Sequence, residues 1–168
     1  MKYLAPSLFA LCLAAPAGAA DLYGTLTATI GGEDRTWSVN GDANGSQSDW
    51  TLMTRGLYDV SFWGNTDPDQ TASVTGALLI DFSLIQASGG AADATVQYLE
   101  EGYTAYWYAE GDAVTLTFTA IEPSDTALHL AGTFTATAGK IGKGGVPDDA
   151  AGELPISGSF DVTLPATE

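Results

Sequence analysis

Apolar and polar side chains alternate with a period of two along most of this chain, a period that admits β-strands with one buried and one wet face. In Leu22 to Ile30, positions Leu22, Leu26, Ala28 and Ile30 share one face and Thr25, Thr27 and Thr29 the other. Val114, Leu116, Phe118 and Ala120 alternate with Thr115, Thr117 and Thr119. Leu128, Leu130, Phe134 and Ala136 oppose His129, Thr133, Thr135 and Thr137, while Ile156, Phe160, Val162 and Leu164 oppose Ser157, Ser159, Asp161 and Thr163. Two further strands are expected over 57–64, with Tyr58, Val60 and Phe62 opposite Asp59, Ser61 and Trp63, and over 74–85, with Val74, Leu78, Ile80, Phe82 and Leu84 in phase. Shorter candidates are Arg35 to Val39, Asp49 to Thr54, Ala94 to Leu99 and Tyr103 to Ala109.

Turn chemistry fills the gaps: Gly31-Gly32, Asn40-Gly41, Asn44-Gly45, Asp67-Pro68-Asp69, Gly89-Gly90, Glu101-Gly102, Gly111-Asp112 and Pro123-Ser124-Asp125. No window after the first 20 residues carries a helical period. The expected fold class is all-β, a single antiparallel β-sandwich or barrel, and the β-branched threonines suit its wet faces.

Residues 1–20 have the three parts of a secretory signal peptide: a basic start at Lys2, an apolar run from Tyr3 to Ala15, and a small-residue exit, Pro16-Ala17-Gly18-Ala19-Ala20. The run is shorter than the roughly 20 residues of a spanning helix, and Pro6 and Pro16 interrupt it. The mature chain is therefore expected to begin at Asp21 or one residue earlier, with no membrane span after cleavage, and to be secreted or periplasmic. Cys12 is the single cysteine and is lost with the signal, so residues 21–168 form one domain without disulfides. The longest irregular stretch expected in that domain is the Gly-rich loop 139–153.

The charge balance narrows the partners. Cleavage removes Lys2 and none of the 21 acidic residues, which leaves Arg35, Arg55, Lys140 and Lys143 and a net charge of −17. Such a field repels phosphate backbones, so nucleic acid is excluded as a partner. His129 is the lone histidine and is expected on a wet strand face, without the companions that a catalytic triad or a zinc site needs. The segment Asn40 to Asp49 sets oxygen side chains at alternate positions before a turn glycine, so Asp42, Asn44 and Asp49 are candidate calcium ligands. A polar hairpin loop accounts for the same residues, and Thr51 stands where a calcium loop carries its bidentate glutamate.

Three pieces carry a resemblance: Leu22-Tyr23-Gly24-Thr25-Leu26-Thr27-Ala28-Thr29-Ile30-Gly31-Gly32 followed by Trp37, then Leu130-Ala131-Gly132-Thr133-Phe134, then Ile156-Ser157-Gly158-Ser159-Phe160. They resemble secreted bacterial β-sandwich domains that close with paired G-x-F strands. Those domains are often anchored through a lipidated cysteine, which this chain lacks. The resemblance implies export and fold, and no activity.

The aromatic cluster Tyr98, Tyr103, Tyr106, Trp107 and Tyr108 is the strongest hint of function. In one strand Tyr103 and Trp107 point one way and Tyr106 and Tyr108 the other, so one set lies outside the core or under the 139–153 loop. Tyr106 and Tyr108 are the candidate ligand-binding residues, offering a platform for a glycan or a protein partner. The expected function is that of an exported non-enzymatic β-sandwich protein with a binding or structural role, in the periplasm or outside the cell. The alternative is a small extracellular polysaccharide hydrolase using a carboxylate pair drawn from Glu100, Glu101, Glu110 and Asp112. N-terminal sequencing of the protein recovered from an expressing cell should begin at Asp21 or Ala20, and intact Met1 would refute the export signal.

Overall fold

The computed structural model describes residues 20–42, 45–86 and 89–166, and these form a nearly all-β fold. Its strands are β1 (Asp21–Ile30), β2 (Glu33–Asp42), β3 (Gly45–Ser46), β4 (Asp49–Thr54), β5 (Leu57–Asn65), β6 (Ala77–Ile85), β7 (Gly90–Tyr103), β8 (Tyr106–Glu110), β9 (Val114–Pro123), β10 (Ala127–Ile141) and β11 (Glu153–Pro165). They belong to one antiparallel sheet. Its pairings run β2-β1-β11-β10-β8-β7-β6-β5 and return to β2 through Ser38–Asn65 and Val39–Gly64, so eight strands make a closed circuit. β9 continues β8 after a 3-10 turn at Gly111–Ala113 and lies along the remainder of β10.

The period of two becomes inside and outside. Leu26, Trp37, Val39, Val60, Phe62, Leu78, Ile80, Phe82, Val96, Leu128, Leu130, Phe134, Ile156, Phe160, Val162 and Leu164 are all buried in one core. Three buried phenylalanines and the partly buried Phe118 form a ring of contacts: Phe62 lies 5.5 Å from Phe82 and 5.3 Å from Phe160, and Phe118 lies 5.5 Å from Phe82 and 5.7 Å from Phe160. The tilts run from 50° to 80°, the edge-to-face range that the ring quadrupole favours.

The two G-x-F pieces meet across the sheet. Gly132 pairs with Phe160 and Gly158 with Phe134, so each glycine lies under the other strand's aromatic ring. A Cβ on Gly158 would sit 2.0 Å from the Thr27 carbonyl oxygen, and one on Gly132 would sit 2.3 Å from that of Thr117. Glycine at both positions lets neighbouring backbones approach and leaves room for the rings.

The closing contact is fastened by buried amides. Asn65 Nδ2 donates to Asn40 Oδ1 (2.6 Å), and Asn65 Oδ1 accepts from the Ser73 backbone N–H (2.8 Å) and the Ser73 hydroxyl (3.1 Å). Asn40 Nδ2 donates to the Pro68 carbonyl at 2.6 Å. The indoles of Trp37 and Trp63 donate to the carbonyls of Gly76 (2.7 Å) and Ser73 (2.8 Å). The connection from Thr66 to Gly76 is thereby tied down over β2 and β5. Among the described residues no buried side-chain polar atom lacks a partner.

Several boundaries differ from expectation. Val74 lies outside β6 and is 38% exposed, because the strand begins only after the Gly76 turn. Tyr103 ends β7 and is separated from β8 by Thr104 and Ala105, so it does not share a strand with Trp107. The 139–153 loop narrows to 142–152, since Gly139 to Ile141 pair with β8 and Glu153 pairs with Gly139. What remains is tied locally, with Gly142 N–H to the Val146 carbonyl (2.8 Å) and Asp148 N–H to the Lys140 carbonyl (2.9 Å).

The outer wall from β2 through β1, β11 and β10 to β9 carries hydroxyls in register. One row reads Thr36, Thr27, Ser159, Thr133, Thr117, and the next Asp34, Thr29, Ser157, Thr135, Thr115. Thr27 and Ser159 hydrogen-bond at 2.8 Å and Thr29 donates to Asp34 at 2.5 Å.

Gly158→Ala should lower stability by about 1–3 kcal/mol, the usual cost of forcing atoms into a packed site. Gly139→Ala should leave it unchanged, since a Cβ there meets nothing within 4 Å. Chemical denaturation of both variants checks the pair.

Candidate ligand-binding face

The strand β8 does divide its aromatics between two faces. Trp107 is 9% exposed and belongs to the main core with Ala109, while Tyr106 and Tyr108 are half-buried on the outside. Behind β8, the Trp107 indole donates to Glu100 Oε2 (3.1 Å), which also receives Lys140 Nζ (3.3 Å). Lys140 Nζ lies 5.3 Å from the centre of the Trp107 ring, and the Arg35 guanidinium lies 5.3 Å from that of Tyr98, whose hydroxyl it also contacts. Two of the chain's few cations thus cover aromatic rings of the core where these reach the solvent-exposed rim of the sheet. The Trp107 hydrogen bond, then Lys140, hold the Glu100 carboxyl below the usual glutamate range.

On the outer side, register assembles what the local sequence does not. Trp63 pairs with Leu79, Leu79 with Gln97, and Gln97 with Tyr108, so four adjacent strands present one row, Trp63-Leu79-Gln97-Tyr108. Trp63 and Tyr106 pack half-buried against a second small cluster, Ala77, Leu79 and Leu99, outside the main core. Trp63, Leu79 and Gln97 are members that the sequence reading misses, and Trp63 is the aromatic among them. Its signal was present, for it is an aromatic in phase with Asp59 and Ser61 on the wet face of β5.

A second row runs beside the first: Asp49, Ser61, Asp81, Thr95 and Glu110. Ser61 donates to Asp81 Oδ1 at 2.6 Å and Tyr108 donates to Glu110 Oε2 at 2.8 Å. Burial pushes the Asp81 carboxyl above the usual aspartate range, with Asp59 and Asp49 adding to it. Burial also pushes the Tyr108 phenol up to about 12, aided by its bond to Glu110 and by nearby Tyr106 and Asp81. Tyr108 is therefore a neutral hydrogen-bond donor at any physiological pH. Glu110 lies on the outer face and Glu100 serves Trp107 on the inner one, so these two do not flank a common cleft.

Of the candidate calcium ligands, Asn44 lies outside the described residues and Asp42 is described only through its backbone pairing with Gly45. Asp49 opens β4 opposite Ser61, in the acidic row. Among the described residues no three acidic or histidine side chains gather as a metal-holding group. No helix among them is long and apolar enough to cross a membrane.

His129 stands on the hydroxyl-bearing wall, where its Nδ1 meets Glu122 Oε2 and its Nε2 meets Asp161 Oδ1, both at 3.1 Å. It bridges β9 and β11 across β10. The hydrogen bonds to Asp161 and then Glu122 raise its pKa above the ordinary 6.5. A raised folded-state value means that protonation stabilises the fold, fully below the ordinary value and progressively less as pH rises through the raised one. The unfolding midpoints of the wild type and His129→Gln should therefore differ at about pH 5.5 and converge in alkaline buffer. A gap that widens with pH would overturn the bridge.

Comparison with protein-family models, with curated proteins and with solved structures finds no match to this chain.

Proposed function

We propose that the mature chain is an exported, non-enzymatic binding module, acting in the periplasm or outside the cell, whose outer row Trp63-Leu79-Gln97-Tyr108 with Tyr106 holds a glycan. The observation that carries this reading is the register that brings an indole, an amide and a phenol from β5, β7 and β8 onto one outward row. Aromatic rings give large apolar faces against which sugar rings stack, with polar tips at their edges. Gln97 adds a donor and an acceptor in the middle of the strip. Each ring is held in place: Trp63 by Ser73, Tyr108 by Glu110, and Tyr106 by Leu79 and Leu99. Such fixation removes the ordering cost that a loose platform would incur on binding.

A hydrolytic role would need two carboxylates converging on one bond. Glu100 is committed as an anion to Trp107 and Lys140, on the face opposite Glu110. Binding is the reading that this placement favours.

Retention on a panel of immobilised polysaccharides tests the proposal. Tyr106→Ala combined with Tyr108→Ala should abolish retention of the wild type's ligand while lowering stability modestly, since both side chains are already half exposed. Trp107→Ala should instead cost about 3–5 kcal/mol, as large-to-small changes in a core do. Unchanged retention in the double variant would refute the glycan row, and release of reducing ends from the retained polysaccharide would refute the non-enzymatic reading.

A further inference from the structure

The aromatic row does not end on open sheet. Beyond Tyr108 the next partners are Gly139 on β10 and Glu153 on β11, and the segment 142–152 lies over them. Between that segment and the sheet is a pocket of about 300 Å³, with Tyr108, Ile141 and Pro147 as its less polar walls and Asp148, Asp149 and Glu153 as its acids. Gly139 lies directly across from Tyr108. Its φ is not in the left-handed region and a Cβ would meet nothing within 4 Å, so neither backbone nor crowding demands glycine there. The effect of the missing side chain is to leave the pocket open beside the Tyr108 ring.

The pocket's charge is not cancelled from within. Lys140 contributes to the lining, but its ammonium group reaches Glu100 and the Trp107 ring on the other side of the wall. Tyr108 keeps its proton and spends its hydroxyl on Glu110, so what it presents to the pocket is an uncharged aromatic ring. A hollow lined by an aromatic residue and by three exposed acidic residues, in a strongly anionic protein, suits an ammonium group.

We propose that this pocket receives a protonated amino group of the bound glycan, so that the ligand of the row is an amine-bearing polysaccharide rather than a neutral one. The inference rests on the glycan reading of the row and names its substrate class. Sugar rings lie along Trp63, Gln97 and Tyr106, over the buried Leu79, and the amine of the sugar at the Tyr108 end enters beside Asp148, Asp149 and Glu153. The pocket is then the element that sets specificity, while the row supplies contact area common to many glycans.

Calorimetric titration with a chitosan oligosaccharide and with its fully N-acetylated counterpart tests this, at a pH that keeps the amines protonated and in moderate salt. The wild type should bind the deacetylated oligomer at least about tenfold more tightly, as a desolvated cation–π contact with carboxylate support allows. Gly139→Val, which fills the pocket from a strand position that tolerates a β-branched residue, should remove that preference and leave both oligomers at the acetylated affinity. Asp148→Asn with Asp149→Asn should do the same, and the unfolding midpoints of these variants should stay at the wild-type value. Equal binding of both oligomers by the wild type would overturn the pocket and leave the row standing. Binding of neither would overturn the amine-bearing substrate class, and the row itself would fall only if the polysaccharide panel also showed no retention that depends on Tyr106 and Tyr108. A preference that survives in Gly139→Val would trace it to the general field of the protein and overturn the pocket. Competition by an oligolysine as strong as that by chitosan would overturn the glycan as its occupant.

Discussion

The sheet closes through two residue pairs, Ser38–Asn65 and Val39–Gly64, and the rest of the architecture depends on that short seam. A ladder of two pairs is weak by itself. It is held because Asn40, Asn65 and Ser73 satisfy one another in the interior, and a buried amide network of this kind is costly to leave half made. Gly64 allows the approach, since a Cβ there would lie 2.9 Å from Leu26 Cδ1, from the Leu78 carbonyl oxygen and from Trp37 Cβ. With the seam intact, β2 covers Gly64 and Asn65 beyond the stretch 57–61 of β5 that β4 covers, and the main core runs on beneath them.

Closure also fixes which side chains look outward together. The β5 to β8 wall carries the aromatic row and the acidic row, and the β9-β10-β11-β1-β2 wall carries hydroxyls. Both patterns come from strands with the same simple alternation. Chemistry is divided around the circumference of the sheet, not along the chain.

That division explains what could be read from the residues. The long Thr-rich strands were legible because β-branched side chains alternate without a break from Val114 to Ala120 and from Thr133 to Thr137. The strand carrying Tyr106 and Tyr108 was legible in its facing, but Tyr103 was not, because Gly102 adopts a positive φ and the chain turns two residues later at Thr104 and Ala105. Val74 matched its strand in phase, yet phase does not locate the Gly76 turn that starts β6. Of the five residues of the candidate face, Tyr106 and Tyr108 were legible. Trp63 and Gln97 join them only through successive pairings of residues 16, 18 and 11 positions apart, and no local pattern encodes that register.

The ring of phenylalanines carries a consequence for the kind of work that such a molecule does. Closed β-sheets are often containers that shelter cargo in a lumen, but here Phe62, Phe82 and Phe160 fill the interior and the partly buried Phe118 packs against them. On the proposed reading, a ligand lies on the outer wall in contact with solvent, and no enclosing cavity limits its length.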